Sequence, residues 1–381
     1  MFDFDRPIDR RGGGFPDSTK WNKYAGRDVI PLWVADMDFA APPPVLAALH
    51  RRIDQGVFGY GQPWPSLVDA VVGHLDREYG WTIDPDWLVW LPGLVTGLHV
   101  ACRARGDAGS AVFTATPIYP PFVSAPTHSE RRPVSAPLTM DDAGWGWDWA
   151  AVDGVLRVAK PSQFLLCHPH NPVGRAWRED ELWQLLALAE KHDFVVCSDE
   201  IHCDLILATG RRHQPFAALA PEAAQRSITL MAPSKTFNVP GLGCAFAVIP
   251  DARLRRDFRG AMHGIVPHVN ILGLVACEAA LRDGAEWRRE LLTYLRGNAR
   301  IVERFVAGRS ELAMAPVEAT YLAWIDARGM GVENPQRTFE AAGVGLSDGA
   351  DFGAPGFVRL NFGCRRELLE TALARMAQAL G

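Results

Sequence analysis

Between about residue 110 and residue 250 short apolar runs that end in polar residues alternate with stretches whose apolar positions recur every three or four residues. The runs at 111–114, 163–167, 194–198, 228–231 and 244–249 have strand length, and their alternation with helical stretches predicts a mostly parallel sheet flanked by helices. Between the second and third runs, Leu182, Leu185, Leu186 and Ala189 recur at helical spacing, so 179–192 reads as a crossover helix and the whole as a βαβ unit.

Ligands of open α/β sheets bind outside the carboxyl ends of the strands. The unusual polar residues of this chain fall there: His168 to Asn171 after one run, Asp199 and His202 after the next, Ser234 and Lys235 after a third. Three loops therefore converge on one sheet edge. After about residue 280 a charged helical stretch leads into a second group of strands and helices that includes 320–325 and 357–362, the pattern of a smaller lobe. The Pro-rich stretch 40–44 reads as the crossover between lobes, with a helix from Val45 onward. The expected organisation is an N-terminal segment 1–44 that joins the smaller lobe, a large domain 45–280 and a small C-terminal domain 281–381.

The length of 381 residues suits such a division, since one core rarely grows that large. A net charge of −5 without any run of Lys and Arg argues against nucleic acid as a partner. The first nine residues are polar and acidic, and no apolar stretch is long enough to span a bilayer, so the expectation is a cytoplasmic protein without membrane contact. The seven cysteines lack paired C-x-x-C spacing, and Cys167, Cys197 and Cys244 lie in or beside apolar runs, as small buried hydrophobes do. No metal is called for. A zinc reading of His168, His170, His202 and Cys203 competes poorly with the Asn and Asp in the same loops.

A lysine in a loop of small residues can approach an aldehyde, although most lysines are solvated surface charges. The surrounding motifs decide between these readings. SKTFN at 234–238 resembles the cofactor-lysine motif of the fold-type I pyridoxal-phosphate (PLP) enzymes, the aspartate-aminotransferase superfamily. CHPHNPVGR at 167–175 and SDEIHCD at 198–204 resemble its other two signatures, in the same order. LWVADMDF at 32–39, FGYG at 58–61 and TPIYPPF at 116–122 are similar to the MalY/PatB-type cystathionine β-lyases, a carbon-sulfur lyase branch. The likeness runs nearly end to end, and it implies an aspartate-aminotransferase-like α/β fold with a large PLP-binding domain and a smaller α/β domain.

The resemblance also implies roles. PLP is an electron sink that lets a substrate Cα proton leave, with Lys235 as the covalent attachment point and the base. Asp199 matches the carboxylate that keeps the pyridine nitrogen protonated. Asn171 and His202 match the positions beside the cofactor's phenolic oxygen, and Tyr119 the aromatic residue stacked on its ring. Ser234, together with Val95, Thr96 and Gly97 in PGLVTG at 92–97, would hold the phosphate, because that segment opens a helix whose amides attract anions. Arg359 in FVRLNFGC at 357–364 matches the arginine for the substrate α-carboxylate, with Ala35 and Tyr119 as further substrate contacts. Tyr60 matches a tyrosine that reaches the neighbouring subunit's phosphate, which implies a homodimer. Two departures stand out. Gly243 in GLGC at 241–244 occupies a position where many aminotransferases carry a phosphate-binding arginine, a loss the lyase branch shares, and His168 stands where the branch more often has Asn.

The implied activity is α,β-elimination from L-cystathionine or related cysteine S-conjugates, giving a thiol, pyruvate and ammonia. An aminotransferase on the same scaffold is the alternative. A PLP-binding regulator without turnover is less favoured, since it has no chemical need for Lys235, Asp199 and Arg359 together.

Overall fold

The computed structural model describes residues 2–10, 17–141 and 144–381, so Met1 and part of the N-terminal segment read above lie outside the described residues. An eight-stranded sheet forms its centre. Across the sheet the strands run Leu88–Leu91, Ala245–Val248, Ser227–Met231, Val195–Asp199, Gln163–Cys167, Ala111–Thr116, Arg132–Asp141 and Gly144–Trp147. The five from Ser227–Met231 to Arg132–Asp141 are mutually parallel.

The helix Glu179–His192 connects two of these strands, and its sequence explains its bounds. Three acids fill the first turn, Lys191 and His192 the last, each favourable to the helix dipole. At the start the Glu181 carboxylate accepts from the Arg178 N–H at 2.7 Å, and at the end Asp193 turns left-handed with φ 52°. Leu182, Leu185, Leu186 and Ala189 form the face buried on the sheet.

Two outcomes differ from the reading of the sequence. The run at 244–249 becomes the strand Ala245–Val248, antiparallel to both neighbours. The connection 232–244 is short and its helical piece is the single turn Pro240–Leu242, whereas a parallel return needs a longer crossover. The strands Leu88–Leu91, Arg132–Asp141 and Gly144–Trp147 were not anticipated. In the second of these, Pro133 and Pro137 interrupt the pattern that marks a strand, and only alternate residues near its middle are buried.

The helix at the crossover begins at Pro43, since proline in the first turn forgoes only an N–H that has no helical partner, and it runs to Asp54. Residues Ile30–Pro31 form a parallel ladder with Val344–Gly345, which ties the N-terminal segment to the C-terminal part of the chain. Leu322–Asp326 and Ser347–Asp348 flank Phe357–Asn361 in an antiparallel three-stranded sheet. The long helix Ala285–Ala307 packs a stripe from Trp287 through Leu291, Leu295 and Val302 into the largest apolar core. Among the described residues no helix is long and apolar enough to cross a membrane.

Candidate active site

A cavity of about 640 Å³ opens between the carboxyl edge of the large sheet and the strand Phe357–Asn361. Ala35, Val95, Tyr119, Asn171, Asp199, His202, Ser234, Lys235 and Arg359 all line it. The carboxyl ends of Gln163–Cys167, Val195–Asp199 and Ser227–Met231 are in register, so the three loops that follow them reach one edge together.

The loop 199–204 shows how the chain aims its side chains. Asp199 and His202 face the cavity, while Glu200 and Asp204 are clamped away from it. Glu200 accepts from Ser198 Oγ at 2.7 Å and the Phe216 N–H at 3.1 Å, and lies 2.6 Å from His213 Nε2. Asp204 accepts from Tyr79 Oη at 2.7 Å and lies 3.1 Å from His74 Nε2, with Arg288 as a further partner. His168, the residue that departs from the branch pattern, belongs to the Glu200 clamp. Its ring lies with its centre 4.3 Å from that of His213, tilted by 34°, and its Nε2–H donates to the Gln214 carbonyl at 3.0 Å. It therefore supports the loop from behind instead of touching a ligand.

Lys235 donates from Nζ to the Ala35 carbonyl at 2.6 Å, and Tyr321 Oη donates to the same oxygen at 3.0 Å. The loop bearing the lysine is pinned to the N-terminal segment by Asn238, which bonds the backbone of Met37 and Phe39 through three contacts of 2.7 to 2.9 Å. Asn361 holds the other side of that segment through the carbonyls of Val34 and Asp36. Burial pulls the Lys235 ammonium down to about 8; Asp36 and Asp199 oppose that shift and Arg359 adds to it. Burial likewise lifts the Asp199 carboxyl to about 7, and burial with the nearby Lys235 and Arg359 charges holds His202 near 3, so its imidazole is neutral.

Arg359 is nearly inaccessible and donates to Asn171 Oδ1 at 2.9 Å, the Trp33 carbonyl at 2.9 Å and Ser347 Oγ at 3.3 Å. Its guanidinium rests 4.6 Å over the Phe352 ring. No carboxylate pairs with it among the described residues, and its Nε–H is buried without a partner. Burial lowers its pKa to about 10, which leaves it cationic at neutral pH. An uncompensated buried charge of this kind demands an anion.

The donor set fits PLP. A lysine with a lowered pKa, a buried carboxyl, an aromatic ring and a helix start surround one space, and the buried His202 Nδ1 has no partner among the described residues. One assignment changes. Gly97 was placed in the phosphate seat, yet its N–H donates to the Gly93 carbonyl at 3.2 Å and begins the helical ladder of Leu94–Ala104. The N–H groups of Leu94, Val95 and Thr96 precede that bond and have no helical partner. Gly97 instead lets the helix approach the sheet, since a Cβ there would meet Leu230 and Leu91 at 3.0 to 3.1 Å. Thr96 lies on the same turn but does not line the cavity, and Tyr60 stands fully exposed outside it. At Gly243 φ is +56° and a Cβ would lie 3.1 Å from the Pro92 carbonyl, so no arginine fits this turn unstrained.

No pattern in the chain marks Trp33, Asp36, Tyr321 or Ser347 for a role. Trp33 and Asp36 flank Ala35 within the conspicuous segment 32–39; Tyr321 sits at a strand start with no signal beyond its size. Asp36 matters electrically. It favours the charged form of Lys235, so in Asp36→Asn burial acts with less opposition and the lysine pKa falls further. The rate of acylation of Lys235 in the apoprotein should then rise at lower pH than in the parent. An unmoved rate profile would show that Asp36 does not set this charge.

The model of the class I and II aminotransferases matches residues 27–376. The chain belongs to this family. Cystathionine β-lyase PatB of Bacillus subtilis is 36% identical over 99% of both chains, which places the protein in the cystathionine β-lyase branch. The crystal structure of OvoB superposes with a TM-score of 0.96 at 48% identity, covering 100% of this chain and 99% of that one. Cystalysin from Treponema denticola, whose crystal structure contains pyridoxal 5′-phosphate, superposes at 0.93 with 31% identity over 100% and 99% of the two chains. The fold is that of the PLP fold-type I enzymes, the protein is a PLP-dependent enzyme, and its substrate is a small-molecule amino acid.

Proposed function

We propose that the protein cleaves the Cβ–S bond of L-cystathionine or related cysteine S-conjugates by α,β-elimination, releasing a thiol, pyruvate and ammonia. The observation that carries the reading is Lys235 and an anion-seeking Arg359 in one cavity of a chain that is similar to PatB from end to end.

Bound PLP supplies the electron sink that makes a substrate Cα proton acidic. Lys235 would anchor it, Asp199 would pair with its ring nitrogen, Tyr119 would lie on its ring, and Asn171 and His202 would approach its phenolic oxygen. The free N–H groups at the helix start, those of Leu94 and Val95 on the cavity wall with Thr96 on the same turn, and Ser234 would hold the phosphate. A pyridinium beside Asp199 would offset the burial that now raises that carboxyl, and so hold it ionised.

The chain's own residues do the rest. Arg359 binds the α-carboxylate and fixes the amino acid's orientation. The Lys235 amine, with a pKa near 8, takes the Cα proton, and the resulting ammonium is placed to return it to the departing sulfur. The Ala35 carbonyl and Asp36 favour that ammonium. Atoms balance with one water: cystathionine and water give homocysteine, pyruvate and ammonia. Incubating the holoenzyme with L-cystathionine and several S-substituted cysteines should yield thiol, pyruvate and ammonia in equal amounts. Thiol without pyruvate, or neither, would refute the reading.

The reading extends to a cytoplasmic homodimer. Tyr60, wholly exposed beside Phe58 and Val57, is free to reach a second copy's phosphate seat. Light scattering should find a dimer, and Tyr60→Phe should weaken retention of the cofactor. A fully active monomer would contradict this.

A further inference from the structure

The cavity has two charged ends. Arg359 and Lys235 lie at the inner end, and the rest of the wall includes Trp33, Lys23, Gln336, Arg337, Glu340 and Asp348. The acids on this wall are largely committed to the chain. Glu340 accepts from Arg27 at 2.9 Å, Gln336 at 3.0 Å and Tyr24 at 3.3 Å. Asp348 accepts from Asn334 Nδ2 at 2.8 Å and the Ala350 N–H at 2.9 Å. Asp351 is exposed. Lys23 and Arg337 are exposed too, and neither is held by a carboxylate among the described residues.

Trp33 links the two ends. Its carbonyl holds the Arg359 guanidinium at 2.9 Å, its indole N–H donates to the Lys20 carbonyl at 3.1 Å, and its ring carries the Lys23 ammonium 4.5 Å from its centre. A cation over an indole face is held in place without losing its charge. Arg359 and Lys23 thus contact the same anchored residue. A substrate held at its α-carboxylate by Arg359 and at its Cα by Lys235 has its sulfur substituent as the part left to extend toward the remaining wall.

We propose that Lys23 and Arg337 are specificity residues that receive an anionic group at the far end of the sulfur substituent, so that S-conjugates carrying a distal carboxylate are the favoured class. This rests on the lyase reading of the same site. Neither residue takes part in proton transfer. Their contribution is to binding, it acts through solvent-exposed charges, and it weakens as salt screens them.

The test uses the holoenzyme and three conjugates of similar size: S-(2-carboxyethyl)-L-cysteine, S-propyl-L-cysteine and S-(2-aminoethyl)-L-cysteine. At low salt the carboxyethyl compound should exceed the propyl compound roughly tenfold in kcat/KM, through KM, as two exposed ion pairs allow. The aminoethyl compound should fall below both. The preference should shrink at about 0.5 M salt, where screening is strong. In the double variant Lys23→Gln, Arg337→Gln the ratio of carboxyethyl to propyl should collapse toward one, and Lys23→Arg with Arg337→Lys should restore most of it. A parent enzyme without charge preference, or a double variant that keeps it, would overturn the proposal. The same series is followed by the change in cofactor absorbance on binding, which needs no turnover. Absence of pyruvate from all three would refute the lyase reading, while the binding series would still decide whether Lys23 and Arg337 select an anion.

Discussion

Replacing Lys235 by alanine should cut turnover by at least about a thousandfold, because the amine proposed to take the substrate Cα proton is lost and general acid–base catalysis alone contributes about 10² to 10⁴. The protein should still fold. The amine's one direct hydrogen bond is to the Ala35 carbonyl, and Tyr321 continues to occupy that oxygen. The loop stays pinned through Asn238, whose contacts to Met37 and Phe39 do not involve the lysine side chain. PLP should still associate with Asp199 and the helix start, but borohydride should no longer fix it to the chain. In the parent, borohydride followed by peptide mapping should place the adduct on Lys235. An adduct on another lysine, or a variant with ordinary turnover, would refute the assignment.

Arg359→Ala should cost roughly 2 to 5 kcal/mol in kcat/KM for amino acid substrates, the range for removing one member of a buried, hydrogen-bonded charge pair. The loss should appear mainly in KM, with PLP retained. Arg359 touches Asn171, Trp33 and Ser347, so the substitution also frees three acceptors and the variant needs a check of its folding. Arg359→Lys keeps the charge but not the planar fork, and should recover only part of the loss. Because burial leaves the guanidinium near 10, binding through it should be flat across neutral pH and fall only as pH approaches that value. Unchanged kinetics for Arg359→Ala would mean that another cation holds the α-carboxylate.

The loops that line the cavity were legible because they follow uniformly apolar strands, and such strands leave little doubt about where they end. Gln163–Cys167 and Val195–Asp199 are buried throughout, so His168 to Asn171 and the loop from Asp199 stand out in the chain. The helix start beside the cavity was legible only in outline, since helical patterning shows that a helix begins near Gly93 but not which amide first closes a hydrogen bond. What stayed hidden depends on distant segments meeting. Nothing local distinguishes Asp36 from Asp38 in LWVADMDF, yet Asp38 is paired with Lys20 at 2.7 Å while Asp36, paired with Arg10 at 2.9 Å, also acts on Lys235. Trp33 likewise reads as an apolar residue, and its role comes from a carbonyl that meets Arg359, 326 residues further along the chain. The strand direction of Ala245–Val248 was hidden for a related reason. Apolar runs report burial, not orientation, and only the short connection through Lys235 turns the chain back.

The central claim is elimination in place of amino-group transfer, and the need for an acceptor tests it most directly. Purified holoenzyme is given excess L-cystathionine without any 2-oxo acid, and pyruvate and homocysteine are followed over many turnovers. Elimination returns the cofactor in its starting form, so both products should accumulate in equal amounts at a steady rate, with no gain on adding a 2-oxo acid. A single stoichiometric burst that stalls until a 2-oxo acid is supplied, followed by steady amino-group transfer without homocysteine, would contradict the account.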